Sequence, residues 1–158
     1  MIGPAEIMAI IPHRAPMLLL DGVAEIEPGV RLTAVGTAGA GRNGPELPAG
    51  SAYPRELVVE AWAQAAVLLT AWERPLPEVG AGRVMLGAAI DRVRFEREVY
   101  SGELLEHRVR LVKAVDDNAV LDGSCLAGGE LVAEFGNFLV ALRDTAAVRA
   151  ECGTGEPA

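Results

Sequence analysis

Hydrophobic and polar positions along this chain change period several times, and each change marks an element. Residues 4–11 open with Pro4, carry Glu6 in the first turn and stop at Pro12, which predicts a short helix. Residues 17–26 are apolar around Asp21-Gly22. Glu27-Pro28-Gly29 then supplies turn chemistry before residues 30–38, so two antiparallel strands are expected. Residues 39–54 are rich in Gly and Pro without periodicity and read as a long irregular loop. The run 57–69 is apolar on every side except at Glu60 and Gln64. Pro54 stands at its first helical position, Glu56 lies in its first turn, and Arg74-Pro75-Leu76-Pro77 ends it. A helix of that kind must be surrounded. Residues 78–82 form another loop. Four strand-like stretches follow, at 83–95, 102–115, 119–127 and 130–142, joined by the turn formers Ser101-Gly102, Asp116-Asp117-Asn118 and Gly128-Gly129. From residue 143 onward Ala, Gly and charge predict a frayed tail. About six strands and one buried helix make an α+β arrangement, a sheet curled over the helix.

Composition narrows the function. A length of 158 residues fits one domain, placed here at 1–142, and 51% hydrophobic against 23% charged residues excludes global disorder. A net charge of −8 argues against a charge-driven grip on nucleic acid. The apolar run is shorter than the ~20 residues of a membrane span, and the N-terminus lacks the basic start and unbroken apolar run of a secretory signal. Cys125 and Cys152 are too few for a disulfide framework, so the expected setting is the cytoplasm. With only two histidines and no Cys-x-x-Cys, neither a metal nor another cofactor is expected.

Glu60 carries the first chemical question, because a carboxylate amid an apolar helix needs a partner or a proton. Glu56, Glu60 and Gln64 fall one turn apart and form a polar stripe. Either that stripe is a wet edge facing solvent or an Arg, or Glu60 is functional.

Several motifs carry a resemblance. Pro12-His13-Arg14-Ala15-Pro16-Met17-Leu18-Leu19-Leu20-Asp21 and Val59-Glu60-Ala61-Trp62-Ala63-Gln64-Ala65-Ala66 resemble the opening and the helix of bacterial 3-hydroxyacyl-acyl-carrier-protein dehydratases of the FabZ type. Ile90-Asp91-Arg92-Val93-Arg94-Phe95 and Ser101-Gly102-Glu103-Leu104 continue the similarity, which runs over residues 7–142. The resemblance implies the hotdog fold, with protomers pairing edge to edge and an acyl tunnel at their interface. It also implies that the helix carboxylate, here Glu60 with Gln64 beside it, works with a loop His of the other protomer. Dehydration of a 3-hydroxyacyl thioester needs a base for the α-proton and an acid for the departing hydroxyl.

The chain departs from that pattern at the loop. The family reads Gly-His-Phe-Pro-Gly where this chain has Pro45-Glu46-Leu47-Pro48-Ala49, so Glu46 replaces the His, and Arg55 replaces a Gly at the helix start. His13 matches the non-catalytic Pro-His-Arg of the family it resembles and reads as a local hydrogen-bonding residue, and His107 reads as a structural one. Arg55, Arg92 and Arg94 are candidates for contact with substrate or carrier. Arg92 and Arg94 would meet Arg108 and Arg110 if their strands were neighbours. The expected activity is a dehydratase-like subunit binding 3-hydroxyacyl thioesters on acyl carrier protein or CoA, in fatty-acid or polyketide synthesis. It would act as a homodimer, or as a heterodimer with a second hotdog chain that retains the loop His. The alternatives are a thioesterase using Glu60, or a non-catalytic acyl-binding homodimer.

Overall fold

A computed structural model describes residues 2–40, 43–75 and 82–152. The expected loop at 78–82 lies outside them apart from Gly82. Helix α1 spans Pro4–Met8, shorter than the stretch to residue 11, because the Ile10 and Ile11 amides both turn back to the Ile7 carbonyl. Ile7 and Ile11 are fully buried and anchor this segment to the core.

Strands β1 (Gly22–Glu27) and β2 (Arg31–Thr37) form the expected hairpin, with Gly29 in the left-handed region at its turn. The first strand starts at Gly22 rather than residue 17. Backbone groups of residues 17–19 bond to the Gln64 side chain instead of a neighbouring strand. At Gly36 a Cβ would sit 2.3 Å from the Leu19 carbonyl oxygen, so β2 packs directly on this segment.

Helix α2 spans Arg55–Ala71, with Pro54 just outside its first turn. Its alanines allow close approach to the sheet. Trp62 stacks on Phe135 with centroids 4.3 Å apart, and its indole N–H donates to the Arg108 carbonyl at 3.0 Å. The helix is not wholly surrounded, contrary to the expectation from its composition. The stripe Glu60, Ala63, Gln64, Val67 and Ala71 faces a cleft, while Val58, Trp62, Ala65 and Leu69 face the core.

Strands β3 (Arg83–Ile90), β4 (Val93–Phe95), β5 (Leu104–Val115), β6 (Asn118–Ala127) and β7 (Glu130–Asp144) complete one antiparallel sheet. Its order is β1-β2-β5-β6-β7-β3, with β4 also paired to β7. The sheet therefore has seven strands among the described residues rather than about six, because the stretch 83–95 is broken at Asp91-Arg92. There the Asp91 carboxylate turns onto β7 and accepts from Asn137 Nδ2 at 2.8 Å. Gly136 makes room for it, since a Cβ at that position would lie 2.1 Å from Asp91 Oδ1. Residues 145–152, expected as part of a frayed tail, form a helix, α3 (Thr145–Cys152), and the Thr145 amide bonds to the Gly82 carbonyl at 3.0 Å. A sheet curled over one helix is the hotdog arrangement. Its edges are formed by β1 on one side and by β3 and β4 on the other.

Candidate functional site

Gln64 organises the site. Its side chain is 1% exposed; Oε1 accepts from the Leu19 amide at 3.0 Å, and Nε2 donates to the Met17 carbonyl at 2.7 Å. A backbone donor on one end and a backbone acceptor on the other fix which end of the amide is nitrogen. The second Nε2 hydrogen must then meet Glu60 Oε1, 2.8 Å away. Gln64 thus pins the apolar segment to the helix and orients the carboxylate one turn earlier.

The same pinning brings the preceding turn over the helix. Arg14 donates to the Ile11 and His13 carbonyls at 2.9 and 2.8 Å, holding the backbone on both sides of His13. His13 Nε2 lies 3.6 Å from Glu60 Oε1, with side-chain exposures of 28% and 39%. Nδ1 is buried and has no hydrogen-bond partner among the described residues. Desolvation lowers the imidazole pKa; the Glu60 charge pulls it back up, and Arg14 adds a smaller lowering effect. His13, Glu60 and Gln64 wall a cleft of about 330 Å³ whose other sides include Val67, Met85 and Phe138. It lies against β3, on one of the sheet's two edges.

Of the residues singled out from the sequence, Glu60 and Gln64 are brought together. Glu60 is half-buried, neither sealed in the core nor out in bulk water. Glu46 is exposed on its loop and does not line the cleft. Arg55 pairs with Glu98 and lies 5.1 Å from the Phe95 ring centroid. Arg94 pairs with Glu96 and Glu134 at 2.6 and 2.7 Å. Strand β4, which carries Arg94, is not a neighbour of β5, because β6 and β7 intervene. Arg92 does share a groove of about 710 Å³ with Arg108 and Arg110, on the sheet face away from α2. Glu106, Asp122 and Glu134 interleave with them there, so the groove is mixed in charge.

His13 was missed as a partner of Glu60. The signal lay in Gln64: an amide able to grip the segment just beyond Pro12-His13-Arg14 also sets that tripeptide over the carboxylate. His107, by contrast, is fully buried on β5 between Ala34 and Cys125 in register, and burial pushes its pKa down to about 4. Cys125 and Tyr53 are each pushed up to about 12, chiefly by burial, so all three are neutral near pH 7. Among the described residues no group of three or more His, Cys, Asp or Glu is placed to hold a metal ion. No described helix is long and apolar enough to cross a membrane.

No family model matches the chain. The 3-hydroxyacyl-[acyl-carrier-protein] dehydratase FabZ of Roseiflexus castenholzii is 39% identical over 142 residues, covering 84% of this chain and 95% of its own. The FabZ of Symbiobacterium thermophilum is 40% identical over 131 residues, covering 80% and 88%. Among solved structures, the dehydratase heterocomplex ApeI:P from Xenorhabdus doucetiae superposes with a TM-score of 0.78 at 17% identity, covering 94% of this chain and 97% of its own. The fluoroacetyl-CoA thioesterase FlK gives 0.61 at 17%, covering 84% and 99%. These two structures share the fold.

Proposed function

Because the chain belongs to the FabZ family of 3-hydroxyacyl-[acyl-carrier-protein] dehydratases, we propose that its cleft receives the acyl chain of a 3-hydroxyacyl thioester on an acyl carrier protein. The product is the enoyl thioester, in fatty-acid or polyketide synthesis. One observation carries this reading: a carboxylate oriented by a buried amide stands at the wall of an apolar cleft. Glu60 serves as the acid that protonates the departing hydroxyl. Gln64 acts by positioning Glu60, since its polar atoms are taken up by two backbone groups and that carboxylate.

The site is atypical. Glu46 brings no imidazole, and a carboxylate matches the abstraction of a weakly acidic carbon proton less well than a ring nitrogen does. The base therefore comes from elsewhere in this chain or from a second, His-bearing hotdog subunit. A partner pairing along β3 would cover the cleft, because that edge and the apolar stripe of α2 border it together. A cytoplasmic setting suits the free thiol of Cys125. Arg55, Arg92 and Arg94, none of which lines the cleft, are left for carrier contacts outside it.

Incubation with 3-hydroxyacyl carrier-protein substrates, alone and with a His-bearing hotdog chain, tests the reading by enoyl absorbance and free-thiol release. Enoyl formation without thiol is expected. Thiol release without enoyl product would assign the thioesterase chemistry instead, with Glu60 activating attack on the thioester. Binding without either product would leave an acyl-binding homodimer.

A further inference from the structure

The dehydratase reading leaves the base open, and the cleft itself offers one. The chain has two histidines, and His13 is the one that borders the cleft. We propose that His13 is the general base of this site, acting in the same chain as Glu60, so that the missing loop His is replaced from the N-terminal turn. This inference rests on the dehydratase reading and deepens it.

Three observations carry it. First, Nε2 and Glu60 Oε1 are 3.6 Å apart, close enough for both groups to address adjacent carbons of one acyl chain. Second, the imidazole is held on rigid supports. Arg14 fixes the backbone around it, Gln64 fixes the segment after it, and Ile11, two residues before it, is fully buried in the core. Such support is what preorganised catalysis requires. Third, Glu46 does not line the cleft and His107 is sealed in the core.

The step balances within the pair. The C2–H bond breaks, its proton goes to His13 Nε2, and its electron pair forms the C2=C3 bond. The C3–O bond breaks, and the departing oxygen takes a proton from the Glu60 carboxyl group and leaves as water. An imidazolium then faces a carboxylate. Return of the proton from Nε2 to Glu60 Oε2, relayed by the released water, restores the starting pair with no other reactant and no net proton. The donor proton belongs on Oε2, since the Gln64 amide already donates to Oε1.

The full chain is assayed with short- and medium-chain 3-hydroxyacyl thioesters of acyl carrier protein. The readouts are enoyl absorbance and solvent deuterium entering C2 in D2O. The expected result is turnover by the chain alone. His13→Gln lowers kcat by about 100-fold or more, with KM within a few-fold and the melting temperature unchanged. Deuterium exchange falls in parallel, and added imidazole restores part of the turnover of His13→Ala. Wild-type kcat in His13→Gln alongside an inactive Glu60→Gln would overturn the role of His13 while keeping the dehydratase reading. So would turnover seen only with a His-bearing second chain and indifferent to His13→Gln. Failure of the wild-type chain to bind any of these thioesters would remove both.

Discussion

His13 and His107 are both drawn below the ordinary histidine pKa by burial, yet only the first has a carboxylate facing it. At His107 desolvation is the sole cause and the ring stays neutral inside the core, with both nitrogens unpartnered among the described residues. At His13 desolvation is opposed by Glu60, and the ring opens on a cleft. One histidine fills space and the other is poised to exchange a proton. What separates them is the element each sits on. His107 alternates with Leu105 and Val109 on the inner face of β5, whereas His13 lies on a turn that Gln64 and Arg14 hold over the helix's open stripe.

The largest effect expected from breaking this contrast is at the carboxylate. Glu60→Gln keeps the shape and still offers an oxygen to Gln64, but supplies no transferable proton. A loss in kcat of about 10³-fold, roughly 4 kcal/mol of barrier, is expected at unchanged melting temperature. Steady-state kinetics beside a thermal melt checks it, and a melt lowered in step with activity would make Glu60 structural.

Next comes the sealed histidine. Its folded pKa of about 4 lies below the ordinary value of 6.5. Between those values the unfolded chain takes up a proton that the folded chain refuses. Stability from this group is whole above pH 6.5 and is lost as the pH falls toward 4, by about 3 kcal/mol. His107→Leu removes that acid-side loss, so in denaturant titrations the stability of the variant relative to wild type should rise by about 3 kcal/mol between pH 7 and pH 4, while the variant keeps turning over. A His107→Leu protein with an unchanged acid slope would show that the ring is not excluded from water.

Much of the fold was legible because its signals are local. Turn formers at 116–118 and 128–129 and alternation along β5 to β7 place those strands, and the apolar run 57–69 places α2. The break between β3 and β4 was not legible, because it depends on Asp91 meeting Asn137 and the bare Cα of Gly136 across the sheet. The open stripe of α2 was hidden for a similar reason: composition shows that a helix is apolar, not which strands reach each side of it. In the site, Glu60 and Gln64 stand one turn apart and could be paired from spacing. Their third neighbour could not, since the contact spans residues 13 to 60 and exists only through the grip of Gln64 on Met17 and Leu19.

That grip makes the next prediction. Gln64→Met fits the space but leaves the Met17 carbonyl and the Leu19 amide without their partner, a loss of about 2 kcal/mol in stability by denaturant unfolding. Activity should fall more than the folded fraction does, because the turn carrying His13 and the Glu60 carboxylate are both released. If activity fell only in step with the folded fraction, Gln64 would be a core residue without a positioning role.

The smallest effect is expected at Arg55, which stands at the helix start where the family has Gly. Its guanidinium is about half exposed, paired with Glu98 and set over Phe95, so it is drawn away from the helix axis. An exposed pair of this kind with a modest cation–π contact is worth about 1 kcal/mol or less. Arg55→Ala should therefore shift the melting temperature only slightly and leave kcat unchanged. Comparing carrier-bound with CoA-bound thioesters sharpens the test. A KM raised for the carrier form alone would place the carrier beside the start of α2. A kcat reduced by about tenfold with both would move the reacting carbons out of the His13–Glu60 cleft toward the helix N-terminus, and the distinction between the two histidines would lose its catalytic meaning.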